Sequence, residues 1–407
     1  MRKEKIALMG VALIMVLALL VTACDSDSDK DADTEKKVKI GGLLAFTGPA
    51  SATTKPSGEG WLDYFKYVNE QGGIDGVKVE TIWTETALAY QNSLIGHKKF
   101  KESGVVLEFG IGAGIEIIAP LLAKDKVPVL NMMGLTETVW TYPEQWAFVS
   151  QAGYGPEYAS LLKWIADNWT GEGLPKVGMV MVDYAPGWES VKGVGDIADD
   201  LGIEWAGYEA VPRVGVIDTS TELLRLRGKG IDWLTVAHYG GSLVVIMHDY
   251  ARLLGDSEIE VTDAIHCLDD ISIGIVGEEA EGWYSMQVTP SPEQTGWWNM
   301  PLVFELADDY RNSEPSYGYL GGVIIGLVME EALRAAIDEV GYDNLDGSAV
   351  RDALASIENL DIGLIPPVTM TDDRPFYTRM GWMGQVQDGK LLRVDDKYVE
   401  PTWFLER

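Results

Sequence analysis

The sequence lacks most of the motifs that carry metal, redox or hydrolytic chemistry. Its 407 residues include two cysteines, Cys24 and Cys267, and four histidines, and neither His-Glu-x-x-His nor Cys-x-x-Cys occurs. A metal centre is therefore not expected. Gly-x-Ser-x-Gly is absent as well, so an α/β-hydrolase nucleophile elbow has no candidate. A serine or aspartate nucleophile assembled from distant loops stays open at this point.

Basic residues are also scarce in this chain. It has 32 lysines and arginines against 63 aspartates and glutamates, which gives a formal net charge of −31. Nucleic acids and anionic membrane surfaces would repel such an acidic exterior, so neither is expected as a partner. The charge does not define a ligand, because a few cationic or amide groups in a cleft outweigh distant, screened charges.

Long apolar runs are absent apart from residues 6–21, which follow three basic residues and precede Thr22-Ala23-Cys24. This run is shorter than the ~20 residues that a membrane-spanning helix needs. The pattern predicts a secretory signal peptide over residues 1–23, with an uncleaved membrane anchor as the alternative. Residues 21–24 also resemble a bacterial lipobox, and this resemblance implies lipidation of Cys24. No disulfide could then form within the chain.

Residues 24–37 form an acidic segment in which aspartate first alternates with serine. Such an alternation is similar to the start of a calcium loop, which needs Gly at position six and Glu at position twelve. Here those positions hold Lys30 and Lys36. A charged segment without apolar residues cannot offset its ordering entropy by burial, so we interpret it as a flexible tether.

The remaining residues, roughly 370, exceed the ~250–300 at which a single core usually divides, so two lobes are expected. Short apolar strands alternate with amphipathic helices in two successive series. The predicted strands cover residues 38–46, 77–83, 105–109, 127–131, 177–182, 204–209, 233–237 and 260–265. The predicted helices cover residues 59–70, 91–101, 115–123, 157–169, 190–201, 219–227 and 243–254.

This alternation predicts an α/β fold with two doubly wound lobes, in which mostly parallel sheets are covered on both faces. Ligands of such sheets bind beyond the carboxyl ends of the strands, where the strand order reverses. Functional residues are therefore expected in the loops that directly follow strands.

A glycine-rich turn, Gly-Ile-Gly-Ala-Gly-Ile-Glu, covers residues 110–116 between a predicted strand and helix. A dinucleotide fingerprint would need its third glycine at Ile115 and an acidic residue at the end of the next strand, which ends in Asn131. Dinucleotide binding is therefore not expected. Backbone N–H groups at this helix start could still hold an anion, and a purely structural turn is the alternative.

Aromatic and imidazole side chains follow several predicted strands. Trp140 and Trp188 could form an aromatic wall of a site there, whereas packing is the alternative. His238 and His266 also fall at strand ends, where pocket and structural interpretations both stay open. The other two histidines fall inside predicted helices, where we interpret them as packing or surface residues.

Five segments of the chain match the motifs of a known family in sequence order. They are residues 39–49, an opening strand with a Thr-Gly-Pro loop; 68–76, a helix end that reads Val-Asn-Glu-Gln-Gly-Gly-Ile-Asp-Gly; and 127–130, 277–282 and 315–318. With the lipobox in front of them, these segments resemble the branched-chain amino acid (leucine/isoleucine/valine) type of periplasmic-binding protein, fold type I. The resemblance covers the chain from about Val38 to its end.

The resemblance implies a clamshell with hinge crossings near residues 153, 286 and 360. The N-terminal lobe would consist of residues 38–153 and 287–360, and the C-terminal lobe of residues 154–286 and 361–407. The resemblance also implies a small-molecule ligand, an ABC permease in the membrane as partner, an extracytoplasmic monomer, and neither a cofactor nor enzymatic activity. A ligand-sensing receptor that acts through a regulatory partner is the alternative, and an exported hydrolase is a third.

The family's ligand positions carry over unevenly. Its serine-rich loop, which holds the ligand carboxylate, aligns with residues 112–114, where hydroxyls are missing but backbone amides remain. The tyrosine of its Tyr-Gly pair aligns with Pro186. The acidic residue that pairs with the ligand ammonium aligns near His266, and Asp269 is the nearest carboxylate. The expected ligand-binding residues are Gly112, Ala113, Gly114, Asn131, Gly134, Leu135, Thr136, Tyr184, Trp188, Tyr239, His266 and Asp269.

These departures from the family pattern bear on the ligand. The ammonium of a zwitterion needs a carboxylate partner, because an unpaired buried charge is costly. If His266 takes the place of that carboxylate, an anionic or neutral ligand fits better. We therefore expect an amino acid-like molecule or a small carboxylate or amide, aromatic compounds included.

Overall fold

The computed structural model describes residues 35–48, 50–112, 114–132, 139, 145–151, 153–264, 267–294, 296–373, 376–378, 381–395 and 397–399. The predicted signal peptide, the lipobox and Cys24 lie outside these residues. Residues Lys37–Arg407 form one compact unit. Within the described ranges, every helix is either too short or too polar to cross a membrane.

The first sheet has six parallel strands in the order β11-β5-β4-β3-β1-β2. The strands are β1 (Lys37–Leu44), β2 (Lys78–Glu85), β3 (Leu107–Gly110), β4 (Val129–Asn131), β5 (Ala147–Gln151) and β11 (Phe376–Thr378). Strands β3 and β4 are buried along their whole length, as expected where helices cover both faces of a parallel sheet. The strand order reverses between β1 and β3.

The second sheet has seven strands in the order β13-β12-β10-β9-β8-β6-β7. The strands are β6 (Lys176–Val182), β7 (Glu204–Val211), β8 (Trp233–Ala237), β9 (Glu260–Asp263), β10 (Tyr284–Gln287), β12 (Trp382–Gln387) and β13 (Lys390–Arg393). Strands β6 to β10 are parallel, whereas β12 and β13 add an antiparallel edge. The order reverses between β6 and β8, so each lobe has the doubly wound topology that the sequence predicts.

Twelve α-helices connect the strands in the described part of the chain. They are α1 (Ser51–Glu70), α2 (Tyr90–Ser103), α3 (Ile115–Asp125), α4 (Tyr154–Asn168), α5 (Ala185–Val191), α6 (Val194–Leu201), α7 (Ser220–Gly228), α8 (Gly240–Leu254), α9 (Asp270–Val276), α10 (Met300–Arg311), α11 (Tyr317–Val340) and α12 (Gly347–Leu354). Short 3₁₀ turns at Gly277–Ala280 and Tyr342–Asn344 complete the described elements.

Helices α1 and α11 pack closely in the core of the first lobe. A methyl group at Gly60 would collide with the backbone carbonyl of Tyr319, and one at Gly322 would collide with that of Ser57. Glycine at these two positions therefore allows the helix backbones to approach. Helix α11 is apolar on nearly all sides, which fits a helix enclosed by its neighbours.

Some helix boundaries differ from the predicted ones. Helix α1 begins at Ser51, inside a segment expected to be a loop because it is rich in Gly, Pro, Ser and Thr; Pro56 lies within the helix. The Thr54 hydroxyl is buried and donates to the carbonyl of Ala45, so tertiary contacts outweigh the low helix propensity. The predicted helix 190–201 divides at Gly193, whose φ of 70° lies in the left-handed region.

The third point at which the chain crosses between the lobes lies later in the sequence than expected. Residues Leu364, Ile365, Val368 and Met370 are buried in the core of the first lobe, and β11 pairs with β5. Only from β12 onward does the chain join the second sheet. The boundary predicted near residue 360 is therefore wrong by about twenty residues, because an apolar segment that follows it completes the first core.

Candidate functional site

A pocket lies at the carboxyl ends of both sheets and encloses about 500 Å³ of empty space, part of it open to solvent. Its lining among the described residues consists of Ala50, Thr54, Leu88, Gly112, Tyr154, Tyr184, Pro186, Arg213, Tyr239 and Cys267. Every one of these residues lies in a loop or first helical turn that follows a strand. The pocket therefore contacts both switch points, where doubly wound sheets bind ligands.

Arg213 supplies the cation of the pocket. It follows β7, and its Nε donates a hydrogen bond of 2.9 Å to the Tyr239 hydroxyl. Its guanidinium carbon lies 4.4 Å from the ring centroid of Tyr184, within range of a cation–π contact. A longer bond of 3.4 Å leads from Nη2 to the Leu88 carbonyl, so Arg213 joins the second lobe to the first. No described carboxylate pairs with Arg213.

Tyr184 is held in place by a residue of the other lobe. The Tyr90 ring stacks on it, with centroids 5.9 Å apart, and the Tyr90 hydroxyl donates to Glu116 Oε2 at 3.2 Å. Burial, a hydrogen bond with Tyr184 and the charge of Glu116 all raise the pKa of Tyr90, which therefore stays protonated. The ring that lies against Arg213 is thus oriented from across the cleft.

His238 links the strand end that carries Tyr239 to the loop that carries Arg213. It is fully buried; its Nδ1 accepts from the Tyr239 amide at 2.9 Å, and its Nε2 donates to the Pro212 carbonyl at 3.1 Å. Both contacts require a neutral ring with its proton on Nε2. Burial lowers the pKa of His238, which favours this form, and the same effect raises the pKa of Tyr239 to about 12.

Tyr154 is a further residue of the pocket lining and is buried. Burial raises the pKa of Tyr154 well above its usual value, and Cys267, Glu157, Tyr239 and Glu116 raise it further. Glu157 lies one turn after Tyr154 on α4 and is buried. Tyr154 therefore stays protonated, as a neutral part of the lining.

Leu88 and Cys267 complete the apolar part of the lining. Leu88 and its neighbour Ala87 adopt positive φ angles of 57° and 48°, which are uncommon for residues with a side chain and frequent at binding sites. Burial raises the pKa of the Cys267 thiol well above its usual value, so it is an apolar contact rather than a nucleophile. No group of three acidic, histidine or cysteine residues within the described ranges could hold a metal ion.

Three of the expected ligand-binding residues line the pocket, namely Gly112, Tyr184 and Tyr239. Four other expected residues, Gly114, Asn131, Trp188 and Asp269, are described but do not line the pocket. Gly114 packs against the Ser93 side chain, and Asn131 is buried against Gly110. The remaining expected residues, Ala113, Gly134, Leu135, Thr136 and His266, lie outside the described residues, as does Trp140.

Trp188 and Asp269, which the sequence also suggested, do not line the pocket. The Trp188 side chain is 46% exposed, and its indole N–H donates to Asp183 Oδ1 at 2.9 Å. Asp269 begins α9, where its carboxylate accepts from the Ser272 amide at 2.7 Å. Asp269 thus caps this helix and is buried.

Seven lining residues were not among the expected ligand-binding residues, namely Ala50, Thr54, Leu88, Tyr154, Pro186, Arg213 and Cys267. Arg213 follows the pattern expected of functional residues, since it lies two residues after β7. The predicted strand ended at residue 209, however, and the Val-Pro-Arg segment that follows carries no known motif. Had β7 been predicted to end at Val211, the expectation that functional residues directly follow strands would have identified Arg213.

Two α/β lobes whose parallel sheets direct their strand ends at a shared pocket define a clamshell ligand-binding protein. A family model described as periplasmic binding protein matches residues 37–390. The chain therefore belongs to the periplasmic binding protein family, and the resemblance to its leucine/isoleucine/valine type is confirmed. This family consists of extracytoplasmic, non-enzymatic proteins that bind small molecules for ABC transporters.

Solved structures with the same fold cover nearly the whole chain. A branched-chain amino acid ABC transporter protein from Thermus thermophilus with bound valine is 19% identical, with a TM-score of 0.79 over 88% of this chain and 95% of that chain. An ABC transporter substrate-binding protein from Aeropyrum pernix is 19% identical, with a TM-score of 0.80 over 91% of this chain and 100% of that chain.

A solute-binding protein of an ABC transporter from Rhodopseudomonas palustris BisB5, in complex with 3,4-dihydroxybenzoic acid, is 20% identical. Its TM-score is 0.75 over 89% of this chain and 98% of that chain. At these identities the likeness concerns the fold. Comparison with curated protein sequences gives no significant match.

Proposed function

We propose that this chain is the solute-binding lipoprotein of an ABC transporter. It captures an amino acid-like molecule or a small carboxylate or amide between its lobes and delivers this ligand to the permease. Lipidation of Cys24 anchors the monomer outside the cytoplasmic membrane, and the acidic segment of residues 24–37 tethers the lobes to that anchor.

The observation that supports this proposal is a pocket lined by strand ends of both lobes. A ligand in it contacts Leu88 and Gly112 of the first lobe together with Tyr184 and Tyr239 of the second. Because the ligand touches both lobes, its binding free energy favours the arrangement in which they are closed. A permease can then distinguish the loaded protein from the empty one by its shape. Valine and 3,4-dihydroxybenzoic acid, found in two structural neighbours, both carry a carboxylate.

A thermal-shift screen of the compact unit from Lys37 onward tests ligand binding. The compounds are branched-chain and aromatic amino acids, small aromatic and aliphatic carboxylates, and short amides. A ligand at ~100 times its Kd adds about 2.7 kcal/mol to the free energy of unfolding, which raises the melting temperature measurably. No shift with any compound would contradict the proposed ligand class.

Matched variants locate the binding site in the same screen. Leu88→Trp fills the pocket and should abolish the shift, whereas Leu224→Trp, on the exposed face of α7, should preserve it. The melting temperature of each unliganded variant controls for folding. Equal shifts in both variants would place the ligand elsewhere.

Transport and anchoring are tested in cells that express the full chain. Cys24→Ser should release the protein from the membrane fraction and reduce uptake of the ligand, because a free binding protein meets its permease less often. Unchanged uptake together with a lost transcriptional response to the ligand would favour the receptor alternative.

A further inference from the structure

We infer that Arg213 binds the carboxylate of the ligand, and that the cleft is selective for small monocarboxylates with an apolar body. This inference rests on the proposed function, since it names the ligand class of that same pocket. Three features of the pocket support it, namely the charge of Arg213, the apolar lining and the lack of a second cation among the described lining residues.

The charge of Arg213 is the first step. The half-buried guanidinium uses Nε for Tyr239, lies against the Tyr184 ring and makes a long contact to the Leu88 carbonyl. These neighbours satisfy hydrogen bonds and the π face but supply no negative charge. Nη1 has no partner among the described residues, so a donor remains for an incoming group. Arginine recognises carboxylates through such N–H pairs, in a geometry that lysine does not reproduce.

The apolar lining is the second step. Around Arg213, the pocket is lined by the side chains of Ala50, Leu88, Pro186 and Cys267. This surface provides no described cation besides Arg213 and suits a hydrocarbon chain or a ring. Sites for small organic ligands are likewise lined mostly by apolar side chains, with a few polar groups that fix the ligand's orientation.

The single described cation is the third step. The described lining of the pocket holds no lysine, histidine or second arginine beside Arg213. A second carboxylate on the ligand would therefore be buried without a cationic partner, which is costly. A neutral amide avoids this cost, but it leaves the charge of Arg213 uncompensated after the ligand has displaced water.

The test compares matched compounds by titration calorimetry: benzoate, benzamide and terephthalate, and isovalerate, isovaleramide and 3-methylglutarate. We expect at least one monocarboxylate to bind, and its amide and its dicarboxylate relative to bind about 30-fold more weakly or not at all. Arg213→Met should weaken that monocarboxylate by about 30- to 100-fold, as expected for loss of a hydrogen bond to a charged group. Binding of the amide should change less than threefold.

Controls separate this inference from the proposed function. Arg225→Met removes an exposed arginine of α7 that pairs with Glu209 and should leave every affinity unchanged. Arg213→Lys keeps the charge and should recover only part of the affinity. Equal binding of acid and amide, or full affinity in Arg213→Met, would overturn the inference while the binding function stands. Absence of binding to all six compounds, in a protein that melts cooperatively, would overturn the inference. It would overturn the proposed function as well only if the thermal-shift screen, which includes amino acids, also gave no shift.

Discussion

Single side chains of the second lobe determine the geometry of the pocket. His238 does not line the pocket. Its side chain nevertheless forms hydrogen bonds with the backbone of Tyr239 and with the backbone of Pro212. The residue that follows Pro212 is Arg213. A change in the protonation of His238 therefore alters a hydrogen bond to the backbone directly before Arg213, the residue that we infer to bind the ligand carboxylate.

The first prediction concerns the pH dependence of stability. Because burial lowers the pKa of His238 in the folded state, the unfolded chain binds a proton at a higher pH. The stabilising contribution of neutral His238 is present above the unfolded pKa of about 6.5 and is lost as the pH falls through the lower folded pKa. We expect urea unfolding to show a smaller loss of stability between pH 7 and pH 5 in His238→Gln than in the wild type.

The control for this experiment is His248→Gln, which replaces an exposed histidine of α8 that contacts Glu279. It should follow the wild-type profile more closely than His238→Gln does. Identical pH profiles for the wild type and His238→Gln would show that the buried histidine is not the titrating group.

The second prediction separates two aromatic residues that are four positions apart. Tyr184 contacts the Arg213 guanidinium, whereas Trp188 points to Asp183 and is exposed. Tyr184→Ala should weaken binding of a carboxylate ligand by about tenfold or more, in the range of a partly desolvated cation–π contact, and Tyr184→Phe should retain most of the affinity. Trp188→Ala should change Kd by less than twofold. A larger effect of Trp188→Ala would restore the aromatic wall that the sequence suggested.

The residues of the site could be predicted only in part. Tyr184 and Tyr239 follow strands whose apolar pattern is clear, so their place at the sheet edge could be predicted. The role of Asp269 could not, because the helix that it caps is only seven residues long and carries no periodic signal. Arg213 was missed because the end of an exposed edge strand is poorly marked in sequence.

Elements of the first lobe are joined by a buried charged group. His97 of α2 lies between Glu108 of β3, at 2.8 Å from its Nδ1, and Asp125 at the end of α3, at 3.2 Å from its Nε2. Burial alone would lower the pKa of His97, but the two carboxylates outweigh it and raise the pKa. Strand β3 and helix α3 flank the glycine turn that contributes Gly112 to the pocket.

The third prediction concerns this charged group. His97→Ala leaves the fully buried Glu108 carboxylate without its cation and should cost about 3–5 kcal/mol in the free energy of unfolding. Lys101→Ala, which removes an exposed cation that pairs with Asp125, should cost less than about 1 kcal/mol. Chemical denaturation measures both values. A cost for His97→Ala as small as that for Lys101→Ala would mean that Glu108 is protonated or hydrated in the fold.

At the scale of elements, sequence patterns predicted long periodic segments better than short ones. The alternation of apolar strands and amphipathic helices was recognised through β9 with the exception of β5, because the other segments have a clear period. Strands β5, β10, β11, β12 and β13 have three to six residues each and were not predicted. Their strand geometry depends on pairing with distant segments rather than on their own sequence.

The described residues form two large hydrophobic cores and a smaller third one, with residues between Leu43 and Val149. The first core contains residues from Val38 to Met370, whereas the second begins at Tyr154 and still includes Val386. Fold class follows from the alternation of elements, but a crossing point depends on which core buries a given apolar segment. Which core buries a segment is decided by tertiary packing and not by the local sequence. The last crossing between the lobes could therefore not be located from sequence.

The contacts between the lobes near the pocket determine how firmly the clamshell closes. Tyr90 and Leu88 of the first lobe meet Tyr184 and Arg213 of the second through ring stacking and one hydrogen bond. The Tyr90 side chain is not part of the pocket lining. It can therefore change the balance between open and closed forms without itself contacting the ligand.

The fourth prediction uses this property. Tyr90→Ala removes an aromatic contact worth about 0.5–1.5 kcal/mol and should weaken all ligands by one common factor of up to about tenfold. Small-angle scattering of the liganded variant, at subsaturating ligand, should show a larger radius of gyration than the wild type. Trp83→Ala removes an exposed ring that packs on Phe46 within the first lobe and should leave both quantities unchanged. An effect that differs between ligands would show that Tyr90 contacts them directly, because a shift in the open–closed balance must act equally on every ligand that binds only the closed form.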